Sequence, residues 1–155
     1  MLFEKIKYND GASFYPIKES EIQNVEKELD IIFPLELRNF YLNIGYGFLK
    51  NSEYNINRIM DPESVRDFRL RKNDFEFYPD IEVYNDVEDG KVIFYEVNES
   101  TLISIELCDK EKNKIYLYDI KIADSLEEFL DKMLENDSYY LDILDLEYMF
   151  YLHFI

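Results

Sequence analysis

One cysteine and one histidine are all that this 155-residue chain offers to thiol and imidazole chemistry. Cys108 has no partner for an internal disulfide, which fits a reducing compartment. A zinc site of the usual Cys/His kind cannot be assembled within one chain from these two side chains. His153 lies in an apolar stretch two residues from the end of the sequence and is expected to pack or sit at the surface, not to act as a base. Cys108 is followed by Asp109, and a nearby carboxylate raises a thiol's pKa, so a structural role is expected. Long apolar runs are missing too. None approaches the roughly 20 residues of a membrane span, and MLFEKIKYND has neither the apolar core nor the small-residue cleavage site of a signal peptide. The expected location is the cytoplasm. There is no internal repeat and no low-complexity linker.

Positive charge is the other scarcity. Seventeen basic residues face 34 acidic ones, a net charge of −17. The excess is concentrated: Asp80 to Glu111 holds ten carboxylates and two lysines, and Asp124 to Glu147 nine carboxylates and one lysine. Such a surface repels nucleic acid and anionic lipid, so neither is an expected partner. It would draw in a cationic partner over a Debye length of about 8–10 Å, besides keeping the domain soluble.

What is present suffices for a packed core. Hydrophobic residues make up 47% and aromatic residues 17% of the chain, which excludes general disorder. The length predicts a single domain over residues 1–155. A short strand is expected near Leu2–Tyr8. Ser20 and Gln23 read as a capping box opening a helix, with Ile22, Val25 and Leu29 on its apolar face and Glu21, Glu26, Lys27 and Glu28 mostly elsewhere. Phe33 before Pro34 stops that helix near Ile31, and Pro34 suits the first turn of a second one with an apolar stripe of Leu37, Phe40, Tyr41 and Ile44. Gly45 and Gly47 end it in a loop.

Tyr54–Met60 reads as a strand, and Asp61-Pro62 as the cap and first position of a helix to about Leu70. Residues 71–80 read as a loop with aromatic anchors Phe75, Phe77 and Tyr78. Asp89-Gly90 is a hairpin signal between Ile81–Tyr84 and Lys91–Val97. Asn98-Glu99-Ser100 makes the next turn, Thr101–Leu107 alternates as a strand, and Lys114–Tyr118 follows. Ser125 and Glu128 form another capping box, ahead of the stripe Leu126, Phe129, Leu130, Met133 and Leu134. A last helix is expected from about Ser138 to the end, apolar on nearly all sides. Such a helix is either deeply packed or part of an interface, and the chain is expected to be a monomer or a weak dimer through it. Helices, a largely antiparallel meander and helices again make an α+β fold.

Little in the chain points to catalytic chemistry. Asn85 to Glu96 has some calcium-loop spacing, but Val87 occupies a ligand position, so a turn is expected. Gly45-Tyr46-Gly47 lacks the third glycine of a phosphate loop and follows a helix. Catalytic, metal and cofactor residues are therefore expected to be none. The surplus tyrosines Tyr84, Tyr95, Tyr116 and Tyr118 read as core or as interface anchors, tyrosine being enriched at binding hot spots.

The segment ESEIQNVEKELDIIFPLELRNFYLNIGYG resembles the opening of the SUKH superfamily, the Smi/Knr-type domain. The resemblance rests on Ile22, Glu26 and Leu29 in an Ile-x-x-x-Glu-x-x-Leu pattern, on the Phe33-Pro34 step, and on Ile44-Gly45-Tyr46-Gly47. Residues 55–65 resemble the strand-to-helix step that often follows, and 123–134 the closing helix, so that about 19–135 is covered. The chain departs from the family in its loop, often Asn-Gly-Gly, and in lacking tryptophan. The resemblance implies a single α+β domain with a mixed, largely antiparallel sheet and no catalytic residues. It also implies one of two roles. The first is that of a bacterial immunity protein neutralising the toxin domain, often a nuclease, of a polymorphic or contact-dependent toxin system. The alternative is a non-catalytic regulatory or scaffolding module, as in fungal cell-wall synthesis regulators. A cationic toxin domain would suit the −17 charge. The expected contact residues are Tyr84, Asp86, Glu88, Asp89, Tyr95, Glu96, Glu99 and Glu106.

Overall fold

The computed structural model describes residues 3–153, with only the backbone of His153. Among them a seven-stranded sheet runs in chain order, each strand pairing with its neighbours in sequence. The strands are β1 (Ser13–Tyr15), β2 (Tyr46–Phe48), β3 (Arg58–Ile59), β4 (Lys91–Asn98), β5 (Thr101–Glu106), β6 (Ile115–Leu117) and β7 (Ile120–Ala123). Every pairing is antiparallel, so the sheet is not mixed. The helices are α1 (Glu4–Lys7), α2 (Glu19–Leu29), α3 (Leu35–Asn43), α4 (Pro62–Leu70), α5 (Leu126–Glu135) and α6 (Tyr140–His153). This is an α+β domain. α2 packs on α4 and α4 on β4, while α5 packs on β7, α1 and α3.

Local signals account for several boundaries. Asp61 caps α4 by accepting the Ser64 N–H at 3.3 Å, with Pro62 in the first turn. Ser125 caps α5 by accepting the Glu128 N–H at 3.1 Å, and Glu128 accepts the Asp124 N–H at 2.6 Å. The expected box at Ser20 does not form: α2 starts one residue earlier, after an extended Lys18, and has no side-chain cap. Glu19 and Glu21 instead place negative charge in its positive first turn. Asp30 ends α2 in a left-handed conformation that Asp tolerates.

Other expectations fail where tertiary contact outweighs local pattern. Residues 4–7 form a helical turn, not a strand, and bury Phe3 and Ile6; Met1 and Leu2 lie outside the described residues. The strand expected over Tyr54–Met60 shrinks to Arg58–Ile59, because Asn57 takes a positive φ of 54°. Gly45 and Gly47 do not end in a free loop, since the chain passes directly into β2. A Cβ on Gly45 would stand 1.9 Å from the Tyr15 carbonyl oxygen, and one on Gly47 would stand 2.1 Å from that of Ser13. Only glycine lets β1 lie that close. The Asp89-Gly90 hairpin is absent as well. Ile81–Tyr84 is a 3-10 turn, and Tyr84 and Val87 point inward at a spacing of three, which suits a helical turn and not a strand.

One continuous core underlies these elements. β5 is buried on both faces, so its alternation marks no solvent side. Phe68 meets Phe75, Tyr78 and Tyr84 edge-on at centroid distances of 5.2, 6.1 and 5.7 Å. Phe129 does the same with Phe94 and Tyr95 at 6.1 and 5.0 Å. Two carboxylates are buried with their partners. Glu26, expected on the outward side of α2, accepts the Phe33 N–H at 2.8 Å and pairs with Arg38. Glu36 accepts backbone N–H groups from the far end of the chain.

Candidate protein-interaction surface

The connection from α4 to β4 is 20 residues long, and between residues 73 and 90 it holds seven carboxylates and no lysine or arginine. Connections of that length in compact domains are commonly functional. This one is pinned from within. Phe75 is buried, Tyr78 donates its hydroxyl to the Glu99 carbonyl, and Tyr84 donates to the Ser100 carbonyl at 3.3 Å while accepting the Leu102 N–H at 3.3 Å. Between two such anchors Phe77 faces outward at 88% exposure. Burial, then the Tyr118 ring beside it, pushes the Tyr84 hydroxyl well up, so it remains a donor.

These contacts gather several segments at one end of the domain. The 78–84 stretch lies against the β4–β5 turn that carries Glu99. Tyr118 of the β6–β7 turn stacks on Tyr84 with centroids 5.7 Å apart. The root of α6 completes the group, where Asn98, Thr101, Leu117, Tyr118, Tyr140 and Leu144 line a cavity of about 380 Å³. Asp80, Glu82, Glu99, Asp119 and Asp142 are all exposed here. No cation occurs in residues 73–90, 98–101, 118–120 or 137–153. The result is an acidic end with exposed apolar side chains, which can attract a cationic surface and then exclude water from it.

The structure divides the residues expected to make contact. Tyr84 and Tyr95 are core, at 2% and 0% exposure; they hold the sheet and are not surface anchors. Glu88 is buried, pairing with Arg71 at 2.9 Å through Oε2, while Oε1 has no hydrogen-bond partner among the described residues. Glu96 is held at 2.6 Å by Arg58. Glu106 turns back on the chain and accepts the Lys114 N–H at 2.9 Å; burial pushes its pKa up, but that bond, the Cys108 thiol and the charges of Lys110 and Lys114 together hold it below the usual value. Asp86, Asp89 and Glu99 remain exposed. They form two patches, not one. Asp89 precedes β4 and Glu99 follows it, so about 26 Å of strand lies between them. Sequence reading missed Asp80, Glu82 and Phe77 as members of the surface, although the cation-free run was the available signal.

Burial and then Glu106 push the Cys108 thiol up, away from nucleophilic use. Among the described residues no group of three or more His, Cys, Asp or Glu side chains is placed to hold a metal ion, and no helix is long and apolar enough to cross a membrane.

A seven-stranded antiparallel meander with helices packed around it, bearing an acidic and partly apolar surface, defines an α+β domain. Residues 19–130 match the SUKH_6 family, described as SMI1-KNR4 cell-wall, and the chain belongs to that family. It is 62% identical over 145 residues to a protein of Bacillus subtilis (strain 168) named Immunity protein YxxD, covering 94% of this chain and 99% of that relative. No solved structure matches.

Proposed function

We propose that this chain is a cytoplasmic, non-catalytic immunity protein. It binds a toxin domain of a bacterial polymorphic or contact-dependent system and blocks it by occlusion. The observation that carries the reading is the 62% identity, over nearly the full length of both chains, to a protein named for immunity. Two features of this chain support the finer statement that the toxin domain is cationic, with a nuclease as the fitting class. One is the net charge of −17, and the other is the run of residues 73–84, which holds four carboxylates and no lysine or arginine and lies against the Glu99 turn. Asp80, Glu82 and Glu99 carry the steering, joined by Asp86 and Asp89 on the second patch.

The test is survival. The C-terminal domain of the large protein encoded beside this gene is expressed with and without this chain. Rescue of growth is the expected result; a toxic domain left unrescued overturns the reading. The family's cell-wall description favours the second reading, a regulatory module with a cellular partner. A neighbouring gene product that is not toxic would turn the assignment to it.

A further inference from the structure

Among the described residues, α6 packs on the core through its first turn. Tyr140 is buried, and Ile143 and Leu144 are half-buried against the core. From Asp145 to Leu152 every residue is exposed, with Leu146, Tyr148, Met149, Phe150, Tyr151 and Leu152 between 53% and 69%. Eight residues rise about 12 Å, so roughly two turns of helix present large apolar side chains around most of their circumference. Among the described residues, the rest of the domain leaves Leu146, Tyr148, Met149, Tyr151 and Leu152 more than half exposed. So much exposed apolar surface on one short element marks a contact. The element also lies outside the family-matched residues 19–130.

Charge selects the occupant. The charged side chains of α6 are Asp142, Asp145 and Glu147, and no lysine or arginine follows Lys132 in the sequence. Asp145 and Glu147 lie about 160° apart around the helix axis, so carboxylates flank the apolar surface on both sides. An anionic membrane requires the opposite pattern, a polar face rich in lysine and arginine. A second copy of this chain would set the same carboxylates against each other and one −17 molecule against another. A protein groove with an apolar floor and basic rims satisfies both the apolar and the acidic side chains.

We propose that α6 is the helical anchor that a cationic toxin domain takes into an apolar, basic-rimmed groove, an inference that rests on the immunity reading above. The two parts of the surface then divide the work. The acidic end at its root speeds encounter, and the apolar turns of α6 slow release, as helix-in-groove recognition does elsewhere.

The experiment compares the full chain with its Leu146→Ser/Met149→Ser/Leu152→Ser variant. The probe is the purified C-terminal domain of the large protein encoded beside the gene. Thermal unfolding, sedimentation of the free chain, binding kinetics and survival are measured for both. The expected result has four parts: a monomeric free chain, an unchanged melting temperature, dissociation faster by about 30-fold or more, and association within about twofold. Unchanged dissociation, with the original chain binding and protecting, overturns the anchor and leaves the immunity reading intact. Failure of the original chain to bind or protect overturns that reading and the anchor with it. A free chain that is dimeric and becomes monomeric on substitution assigns α6 to a second copy, and a variant that melts early assigns it to its own domain; either result overturns the proposal.

Discussion

Glu36 of α3 caps α5 from 90 residues away: its Oε1 accepts the Leu126 N–H at 3.1 Å. The same oxygen takes the Asn113 N–H at 2.9 Å, and Oε2 takes that of Glu127 at 3.4 Å. One buried carboxylate thus satisfies the start of a helix and a turn before it, with its charge on the positive end of the α5 dipole.

Glu36→Ala is expected to destabilise the domain by about 3 kcal/mol, because buried N–H groups lose their acceptor. Glu36→Gln retains an acceptor oxygen and should lose less. Denaturant midpoints at a constant slope decide this; equal loss for both variants would mean that shape and not hydrogen bonding matters at this position.

Gly45 has a φ of 115° and would drive a Cβ into the Tyr15 carbonyl. Gly45→Ala should cost about 2–3 kcal/mol through backbone strain alone, and β1 should lose its protection from hydrogen exchange before β4 does. Uniform loss across the sheet would contradict a local clash.

Glu88 gives a pH signature. Burial raises its carboxyl pKa above the usual 4.5, and the nearby Arg71 and Arg69 offset this only in part. The folded chain therefore holds that proton more tightly than the unfolded chain. The carboxylate costs no stability below about pH 4.5, and its cost grows as pH rises through the folded-state value. Glu88→Gln removes the titration, so its melting temperature relative to the original chain should be higher at pH 7 than at pH 4. A difference independent of pH would show that Arg71 fully compensates the burial.

Charge reversal at Asp80, Glu82 and Glu99, all exposed, should slow association with the toxin domain by about tenfold at low salt and flatten its salt dependence, with little change in dissociation. Reversal at Glu4, Asp10 and Glu19, on the N-terminal segments, serves as the control. Equal effects from the two sets would mean that only net charge steers the encounter.

Elements with strong local chemistry were legible in the sequence. Asp61-Pro62 and Ser125 mark helix starts, and the expected turn at Asn98-Glu99-Ser100 forms at Glu99-Ser100 between β4 and β5, because caps and turns are decided by neighbouring residues. α1, β7 and the 3-10 turn at Ile81–Tyr84 span four residues each and are decided by what they pack on. Tyrosine reads the same in a core and at an interface, so Tyr84 and Tyr95 could not be placed from pattern. Glu26, Glu36 and Glu88 look like surface charge because their partners lie between 7 and 90 residues away.

The strand order has a consequence for synthesis. Each strand meets its partner as soon as the next one leaves the ribosome, so the sheet can zip in the order in which it is made, without waiting for a crossover. Its fasteners arrive last. Glu36 waits for Leu126, and Lys50 waits for the carbonyls of Met133 and Leu134, which it reaches at 3.4 and 2.9 Å. A nascent chain that ends before Ser125 holds all seven strands and neither fastener, and the domain locks only once α5 has emerged.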